Sequence, residues 1–129
     1  MIYVVCGMIG AGKTTFAKMQ NGILSDFDEL QSKEKQIEFT LKNREKEVYH
    51  TTCFPTFEEL KNFEGADVKY IWINTSFTKC KENIIARNRL RDTLDLRKTL
   101  EKNREIQKKY QGSSMKFEVI NTLKSDERW

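Results

Sequence analysis

A glycine-rich segment near the N-terminus carries the residues best suited to chemistry. Residues 7 to 15 fit the pattern G-x-x-x-x-G-K-[ST] at Gly7, Gly12, Lys13 and Thr14. Glycines let such a loop curl so that successive backbone N–H groups face inward and bind a polyphosphate. The lysine can reach the β- and γ-phosphates, and the threonine hydroxyl can coordinate Mg²⁺. We therefore expect a P-loop for ATP or another nucleoside triphosphate, formed by Gly7, Gly10, Ala11, Gly12, Lys13, Thr14 and Thr15, with Thr14 as the Mg²⁺ ligand.

The elements on either side of this loop support that interpretation. The apolar run from Ile2 to Cys6 predicts a strand, and a helix is expected from Lys13 to about Gln20. A strand, a glycine-rich loop and a helix in that order are the setting in which the motif binds phosphate. The alternative is a glycine-rich turn that only packs, and it explains neither the lysine nor the hydroxyl.

Asp26 is the next candidate for chemistry. It follows a short predicted strand, Ile23 to Ser25, at the edge of the sheet where ligands bind in parallel α/β proteins. A carboxylate there can accept the proton of an attacking hydroxyl or orient a hydrated Mg²⁺. Asp28 is interpreted as the N-cap of the following helix.

Arg87 and Arg91 are predicted to act with Lys13 and Asp26 in catalysis. They are four residues apart, hence on one face if the segment is a regular helix. One guanidinium group can donate two hydrogen bonds to phosphate oxygens at once. The two arginines could therefore clamp the transferred phosphoryl group from a lid at about residues 86 to 95. Surface salt bridges are the alternative for each arginine. Arg89 is expected to face solvent or substrate.

The net charge of +4 is mild, and its excess of cations falls chiefly between Lys79 and Lys109. A basic segment near a phosphate site suits anionic substrates. A solubilising helix surface is the other interpretation, and it covers Lys98, Lys102, Lys108 and Lys109 well. On the helix after Asp26, lysines alternate with glutamates as on a solvated face.

The rest of the chain alternates strand and helix signals. Strands are predicted at residues 2–6, 23–25, 48–53, 68–73 and 115–120, and helices at 13–20, 29–45, after Thr56, from Ser76, and from a break near Asp92 to Gly112. Such alternation implies a parallel sheet with right-handed crossovers. We expect an α/β chain with the three-layer P-loop NTPase fold, a five-stranded and mostly parallel sheet, helices on both faces and a short helical lid.

Length and composition exclude several other classes of protein. The 129 residues suffice for one domain, and no apolar run approaches the ~20 residues of a membrane span. Three cysteines without metal-ligand spacing predict no disulfide and no zinc site. We expect a cytoplasmic protein that does not bind membranes, and the sequence leaves its oligomeric state open. His50 is expected to be structural.

The segment from Ala86 to Thr93, followed by Leu96 and a helix ending near Tyr110, resembles the lid of phage-type polynucleotide 5′-hydroxyl kinases, which carry R-N-x-x-R-G-T. The P-loop and the spacing from Ile23 to Asp26 are similar too. The resemblance implies that Asp26 is the general base and that Arg91 contacts the transferring phosphates. It also implies ATP and Mg²⁺ as cofactors.

Two departures from that family concern the acceptor and the metal. Glu29 stands where the family usually has an arginine that holds the acceptor phosphate. Thr51 and Thr52 stand where it tends to have an aspartate at the end of strand three. No apolar run ends in an aspartate that could orient the metal.

Three functions remain open from the sequence. The first is transfer of the γ-phosphoryl group of ATP to a hydroxyl, most readily a polynucleotide 5′ end and otherwise a nucleoside or another small hydroxyl compound. The second is a nucleotide monophosphate kinase. The third is a non-catalytic nucleotide-binding module. Asp26 and the lid arginines favour a kinase, because a binding module needs neither.

Overall fold

Five parallel strands form the centre of the chain in the computed structural model, which describes residues 1 to 122. They are β1 (Ile2–Cys6), β2 (Ile23–Ser25), β3 (Val48–Thr52), β4 (Val68–Asn74) and β5 (Glu118–Asn121). Their order across the sheet is β2-β3-β1-β4-β5, and every neighbouring pair is parallel. The loop that follows β1 therefore lies between the end of β3 and the end of β4.

Helices flank this sheet. They are α1 (Lys13–Met19), α2 (Phe27–Leu30), α3 (Lys33–Lys42), α4 (Phe57–Phe63), α5 (Phe77–Arg87), α6 (Leu90–Thr93) and α7 (Leu96–Gln111). The expectation of an α/β chain with a five-stranded parallel sheet is thus confirmed, and the arrangement is compatible with three layers. Within residues 1 to 122, no helix is both long enough and apolar enough to span a membrane.

The core is centred on β1, whose residues Val4, Val5 and Cys6 are fully buried. A central parallel strand is covered on both faces, which requires apolar side chains at successive positions. In β4, beside it, only the second half is buried on both faces, at Ile71–Ile73. Helix α7 attaches to this half, since Tyr110 stacks on Trp72 with ring centroids 4.0 Å apart.

The prediction of a single helix over residues 29 to 45 is wrong. The segment forms α2 and α3, separated at Gln31, whose φ of 57° ends the first helix. Ser32 then caps α3 by accepting a hydrogen bond from the backbone N–H of Lys35. Serine is among the preferred N-cap residues, so a local signal outweighed the apolar spacing.

Smaller differences occur at element ends. β3 stops at Thr52 instead of residue 53, and β5 begins at Glu118 instead of residue 115. Two breaks replace the one expected near Asp92: Asn88 adopts φ 50° and ends α5, and a second break at residues 94–95 separates α6 from α7. Other signals were read correctly. Thr56 forms a capping box with Glu59, and Ser76 caps α5.

A buried polar network ties β3 to the helices beside it. His50 is fully buried and hydrogen bonds to the carboxylate of Glu59 through Nε2, while its Nδ1 lies 2.7 Å from Thr40 Oγ1. Glu59 also pairs with Lys33 at 3.0 Å and accepts a hydrogen bond from Thr52 at 3.1 Å. His50 is structural, as expected. Lys33 does not belong to the solvated helix face that the sequence suggested.

Burial lowers the pKa of His50 below its ordinary value and keeps the ring neutral, against the opposing effect of Glu59. Burial also opposes ionisation of Glu59. The hydrogen bond from His50 and the charge of Lys33 outweigh that effect and lower the pKa of Glu59 to about 2. Both groups bind protons more readily in the unfolded chain, so acid favours unfolding.

We predict that the free energy of unfolding falls as the pH drops below about 6.5, where unfolded His50 begins to protonate. The steepest loss is expected between pH 4.5 and pH 2, the ordinary and native pKa values of Glu59. The Glu59 contribution is on the order of 3 kcal/mol. Urea unfolding across this pH range measures it. Glu59→Gln should flatten the curve in this window, and an unchanged pH dependence would contradict the assignment.

Candidate functional site

A cleft of about 920 Å³ lies at the carboxyl end of the sheet, where the predicted site residues meet. Its walls come from the loop after β1, the ends of β2 and β3, the segment around α6, and α7. Nine of the ten residues proposed from the sequence line it: Gly10, Ala11, Gly12, Lys13, Thr14, Thr15, Asp26, Arg87 and Arg91. Gly7 is buried at the base of the loop.

Five consecutive carbonyl groups of the loop accept hydrogen bonds from the protein. Lys13 donates to the carbonyls of residues 7 and 8 at 2.8 and 3.0 Å. Asn103 donates to Ile9, Asn83 to Gly10 and Thr75 to Ala11, at distances between 2.7 and 2.9 Å. The N–H groups of Gly7, Ile9 and Ala11 are engaged as well. Those of Gly10 and Gly12 have no hydrogen bond within the described residues, so they are backbone donors of this loop left to meet a ligand. A loop that presents N–H groups favours anions.

Two of the loop glycines are required by the backbone. Gly10 has φ 84°, and a Cβ there would lie 2.6 Å from the carbonyl oxygen of Cys80. Gly12 has φ 98° at the N-terminus of α1. Side chains rarely adopt these angles, so the two glycines set the course of the loop into the helix.

Asp26 extends from the end of β2 into the cleft. Its side chain accepts a hydrogen bond from Thr51 Oγ1 on the neighbouring strand at 2.9 Å. Asp26 stands at the N-cap position of α2, but its carboxylate makes no capping bond. Its second carboxylate oxygen has no hydrogen bond within the described residues. The threonine found in place of the family's strand-three aspartate thus orients the proposed general base.

Asp28 is not the helix cap that we expected. Its carboxylate forms a two-pronged ion pair with Arg91, with Nη2 to Oδ2 at 2.9 Å, and a second pair with Arg89 at 3.2 Å. The hydrogen bond from Arg91 lowers the pKa of Asp28, so the carboxylate stays ionised. Arg89, expected to face solvent or substrate, is instead part of this contact across the cleft.

The lid arginines do not share a helix face, because α5 ends at Arg87 and Arg91 belongs to α6. They meet around Asp92 instead. Asp92 Oδ2 is buried without a hydrogen-bond partner within residues 1 to 122, and Arg87 Nη2 lies 3.6 Å from it. Arg91 Nε lies 3.8 Å from the other oxygen. Three arginines and two carboxylates therefore bring a net positive charge to this side of the cleft.

Four lysines add charge to the cleft. Lys98, Lys102 and Lys109 of α7 line it together with Lys18 of α1. All four α7 lysines are exposed, as the solvated-surface interpretation expected, but Lys98, Lys102 and Lys109 also line the cleft and Lys108 does not. Spacings of four and seven residues place the other three on one face of the helix.

Asn103 is the site residue that sequence reasoning missed. It is fully buried in α7, where it accepts a hydrogen bond from the N–H of Ile9 at 2.7 Å and donates to the carbonyl of the same residue at 2.9 Å. A peptide-like amide is the side chain that can satisfy both groups of one residue. The available signal was a polar residue on the buried face of an amphipathic helix, beside Thr99 and Ile106.

Comparison with known proteins does not assign the chain to a family. No protein-family model matches it, and no curated protein is detectably similar in sequence. No three histidine, cysteine or acidic side chains of residues 1 to 122 come together in a way that could hold a metal ion. The interpretation of the cleft therefore depends on its own geometry.

We predict that Asn103→Ala lowers the free energy of unfolding by about 2–4 kcal/mol, because it leaves two partly buried backbone groups of Ile9 without partners. Urea unfolding followed by circular dichroism measures the change. Asn83→Ala is the matched control. It removes a single partly buried hydrogen bond to Gly10 and is expected to cost about 1 kcal/mol. Equal effects of the two substitutions would contradict the role given to Asn103.

Proposed function

We propose that the protein is an ATP-dependent phosphotransferase that moves the γ-phosphoryl group to a hydroxyl. The observation that carries the proposal is the loop of residues 7 to 12, in which five carbonyls are engaged and the N–H groups of Gly10 and Gly12 are left for a polyphosphate beside Lys13. This loop is proposed to be a P-loop within a P-loop NTPase fold. Asp26 stands on the opposite wall of the same cleft, where an acceptor would lie.

The residues present fit a magnesium nucleotide. Mg²⁺ binds through one or two protein oxygens, with water and substrate phosphates completing its octahedron. The hydroxyl of Thr14 lines the cleft beside the loop and is the proposed protein ligand, and the carboxylate of Asp26 is the nearest candidate for an outer contact. A bound Mg²⁺ would neutralise charge on the transferring phosphates.

Asp26 is assigned the role of general base. Thr51 holds one of its carboxylate oxygens, so the other can accept the proton of an acceptor hydroxyl. Arg87 and Arg91 are assigned to the charge on the transferring phosphoryl group, where fixed cations stabilise the transition state. Each already lies beside a carboxylate at the cleft, so each is within reach of an anion that binds there.

The resemblance makes a polynucleotide 5′-hydroxyl end the first acceptor to test. A nucleotide monophosphate kinase is less well supported, because such an enzyme needs free cations for a second phosphate and no proton acceptor in the place of Asp26. A non-catalytic binding module would not need Thr51 to orient a carboxylate. An assay that follows label from γ-labelled ATP to hydroxyl acceptors and to phosphate acceptors, tested side by side, distinguishes the three functions. A non-catalytic module would label neither kind of acceptor.

We predict that Lys13→Ala keeps the fold and weakens ATP binding roughly 10- to 100-fold, the effect of losing a hydrogen bond from a charged donor. Lys13 is only partly buried, so its removal opens no cavity in the core. Calorimetric titration with ATP and Mg²⁺ measures the affinity, and thermal unfolding confirms the fold. Lys18→Ala, a lysine on the same helix, should weaken binding far less. Wild-type affinity in folded Lys13→Ala protein would contradict the site.

We predict that Asp26→Asn binds ATP normally but transfers phosphate ~10²–10⁴ times more slowly, as expected for loss of a general base. The amide keeps the shape of the side chain and can still accept the hydrogen bond from Thr51. Label transfer and ATP titration on the same sample separate the two effects. Asp28→Asn is the control and should retain most of the rate. The reverse result would mean that Asp28 is the base.

A further inference from the structure

The two ends of the cleft differ in charge. We call the end formed by Asp26, Phe27, Lys33 and Thr52 the β3 end, and the end formed by Lys98, Lys102 and Lys109 the α7 end. The sheet order separates them, because β2 and β3 lie on one side of β1 and β4 lies on the other. Helix α7 belongs to the β4 side through the stacking of Tyr110 on Trp72.

Every cation at the β3 end is already paired. Lys33 Nζ has three donor protons and three acceptors, which are Gln36 Oε1 at 3.0 Å, Thr52 Oγ1 at 3.3 Å and Glu59 Oε2 at 3.0 Å. The arginines that reach this end, Arg89 and Arg91, both contact the carboxylate of Asp28. An anionic group entering here would have to displace a carboxylate, and Glu59 is fully buried.

The α7 end is different, because within residues 1 to 122 none of its three lysines pairs with a carboxylate. Unpaired ammonium groups attract a polyphosphate without having to break an existing ion pair. The polyphosphate of the nucleotide donor is therefore better accommodated at the α7 end and the loop than at the β3 end. The β3 end is left for a partner without charge.

An exposed aromatic ring adds a second preference at the β3 end. Phe27 follows Asp26 directly, lines the cleft and is 42% exposed. The ammonium group of Lys33 lies 5.8 Å from the centre of its ring, which leaves the rest of the ring open. Aromatic side chains in this position bind planar bases by stacking, whatever the base.

We propose that the β3 end binds an uncharged hydroxyl acceptor with a planar ring, of the nucleoside class, and discriminates against acceptors that carry a phosphate. The inference depends on the phosphotransferase function proposed above. In the reaction, the acceptor oxygen forms a bond to the γ-phosphorus while the bond from that phosphorus to the β,γ-bridging oxygen breaks. The bond electrons leave with ADP, and the acceptor proton passes to Asp26.

This acceptor differs from the polynucleotide end that the resemblance implies. A polynucleotide 5′ end carries a phosphate on the 3′ side of its first nucleotide. The family that the chain resembles usually binds that phosphate with an arginine, and Glu29 occupies the position of that arginine here. Glu29 is exposed on α2 and adds negative charge near this end of the cleft. The paired cations and the glutamate both disfavour the 3′-phosphate.

Label transfer from γ-labelled ATP to thymidine, thymidine 3′-monophosphate and glycerol tests the inference. We expect kcat/KM for thymidine to exceed that for each of the other two by at least about tenfold. Phe27→Ala should raise KM for thymidine about tenfold with little change in ATP affinity, and Phe27→Tyr should retain binding. Phe57→Ala is the matched control. Phe57 is 77% exposed beneath a lysine but lies outside the cleft, so its loss should change nothing.

The possible outcomes separate this inference from the proposed function. Transfer to thymidine 3′-monophosphate or a 5′-hydroxyl oligonucleotide at least as fast as to thymidine would overturn the inference and leave the phosphotransferase standing. A protein that neither binds ATP nor labels any acceptor would overturn both. If ATP binds but no acceptor is labelled, saturation-transfer NMR with thymidine decides. Thymidine binding that is lost in Phe27→Ala and retained in Phe57→Ala supports the subsite. If the wild-type protein does not bind thymidine, the inference is overturned.

Discussion

The carbonyl groups of the loop after β1 impose the constraint on which the rest of the cleft depends. A stretch of five peptide carbonyls cannot be left unpaired in a partly buried loop, because each orphaned group costs about 1–3 kcal/mol. Asn103 of α7, Asn83 of α5 and Thr75 after β4 each satisfy one of them. These donors belong to elements far apart in sequence, so the loop takes its shape only when the whole fold has assembled. The geometry that we propose for anion binding is therefore a consequence of tertiary packing.

Whether the cations of the cleft are paired depends on the part of the fold that supports each wall. The wall at β3 stands on the buried network of His50 and Glu59, where an unpaired charge would be strongly destabilising, so Lys33 is fully engaged. The wall at α7 is a single amphipathic helix held by its apolar face, and its lysines extend from the opposite side without partners. A polyphosphate can bind these lysines without disturbing the core. Rearrangement on nucleotide binding is accordingly expected in the lid around Asp28 and Arg91, whose contact is exposed.

Much of the fold could be predicted from the sequence, because its signals are local. β1 was identified by a run of apolar residues, and Thr56 and Ser76 by their capping chemistry. The division of the helix at Gln31 was missed, since apolar spacing continues across it and the serine cap was overlooked. Of the site, the loop was recognisable from its spacing. Thr51, Asn103 and Asp28 were not assigned their roles, because each contacts a residue at least 25 positions away and local patterns carry no information about such pairs.

The threonines at the end of β3 show why a departure from a family pattern need not remove chemistry. A carboxylate at Thr51 would face the carboxylate of Asp26, and two such groups in contact cannot both stay ionised. A hydroxyl instead donates a hydrogen bond to Asp26 and holds one of its carboxylate oxygens in place. The neighbouring Thr52 donates to Glu59 in the same way and connects the cleft to the buried network. Asp26, Asp28 and Asp92 are the described carboxylates that line the cleft, and Asp28 and Asp92 both lie beside arginines. Asp26 has no such ion pair among the described residues, which is why we assign the proposed proton transfer to it.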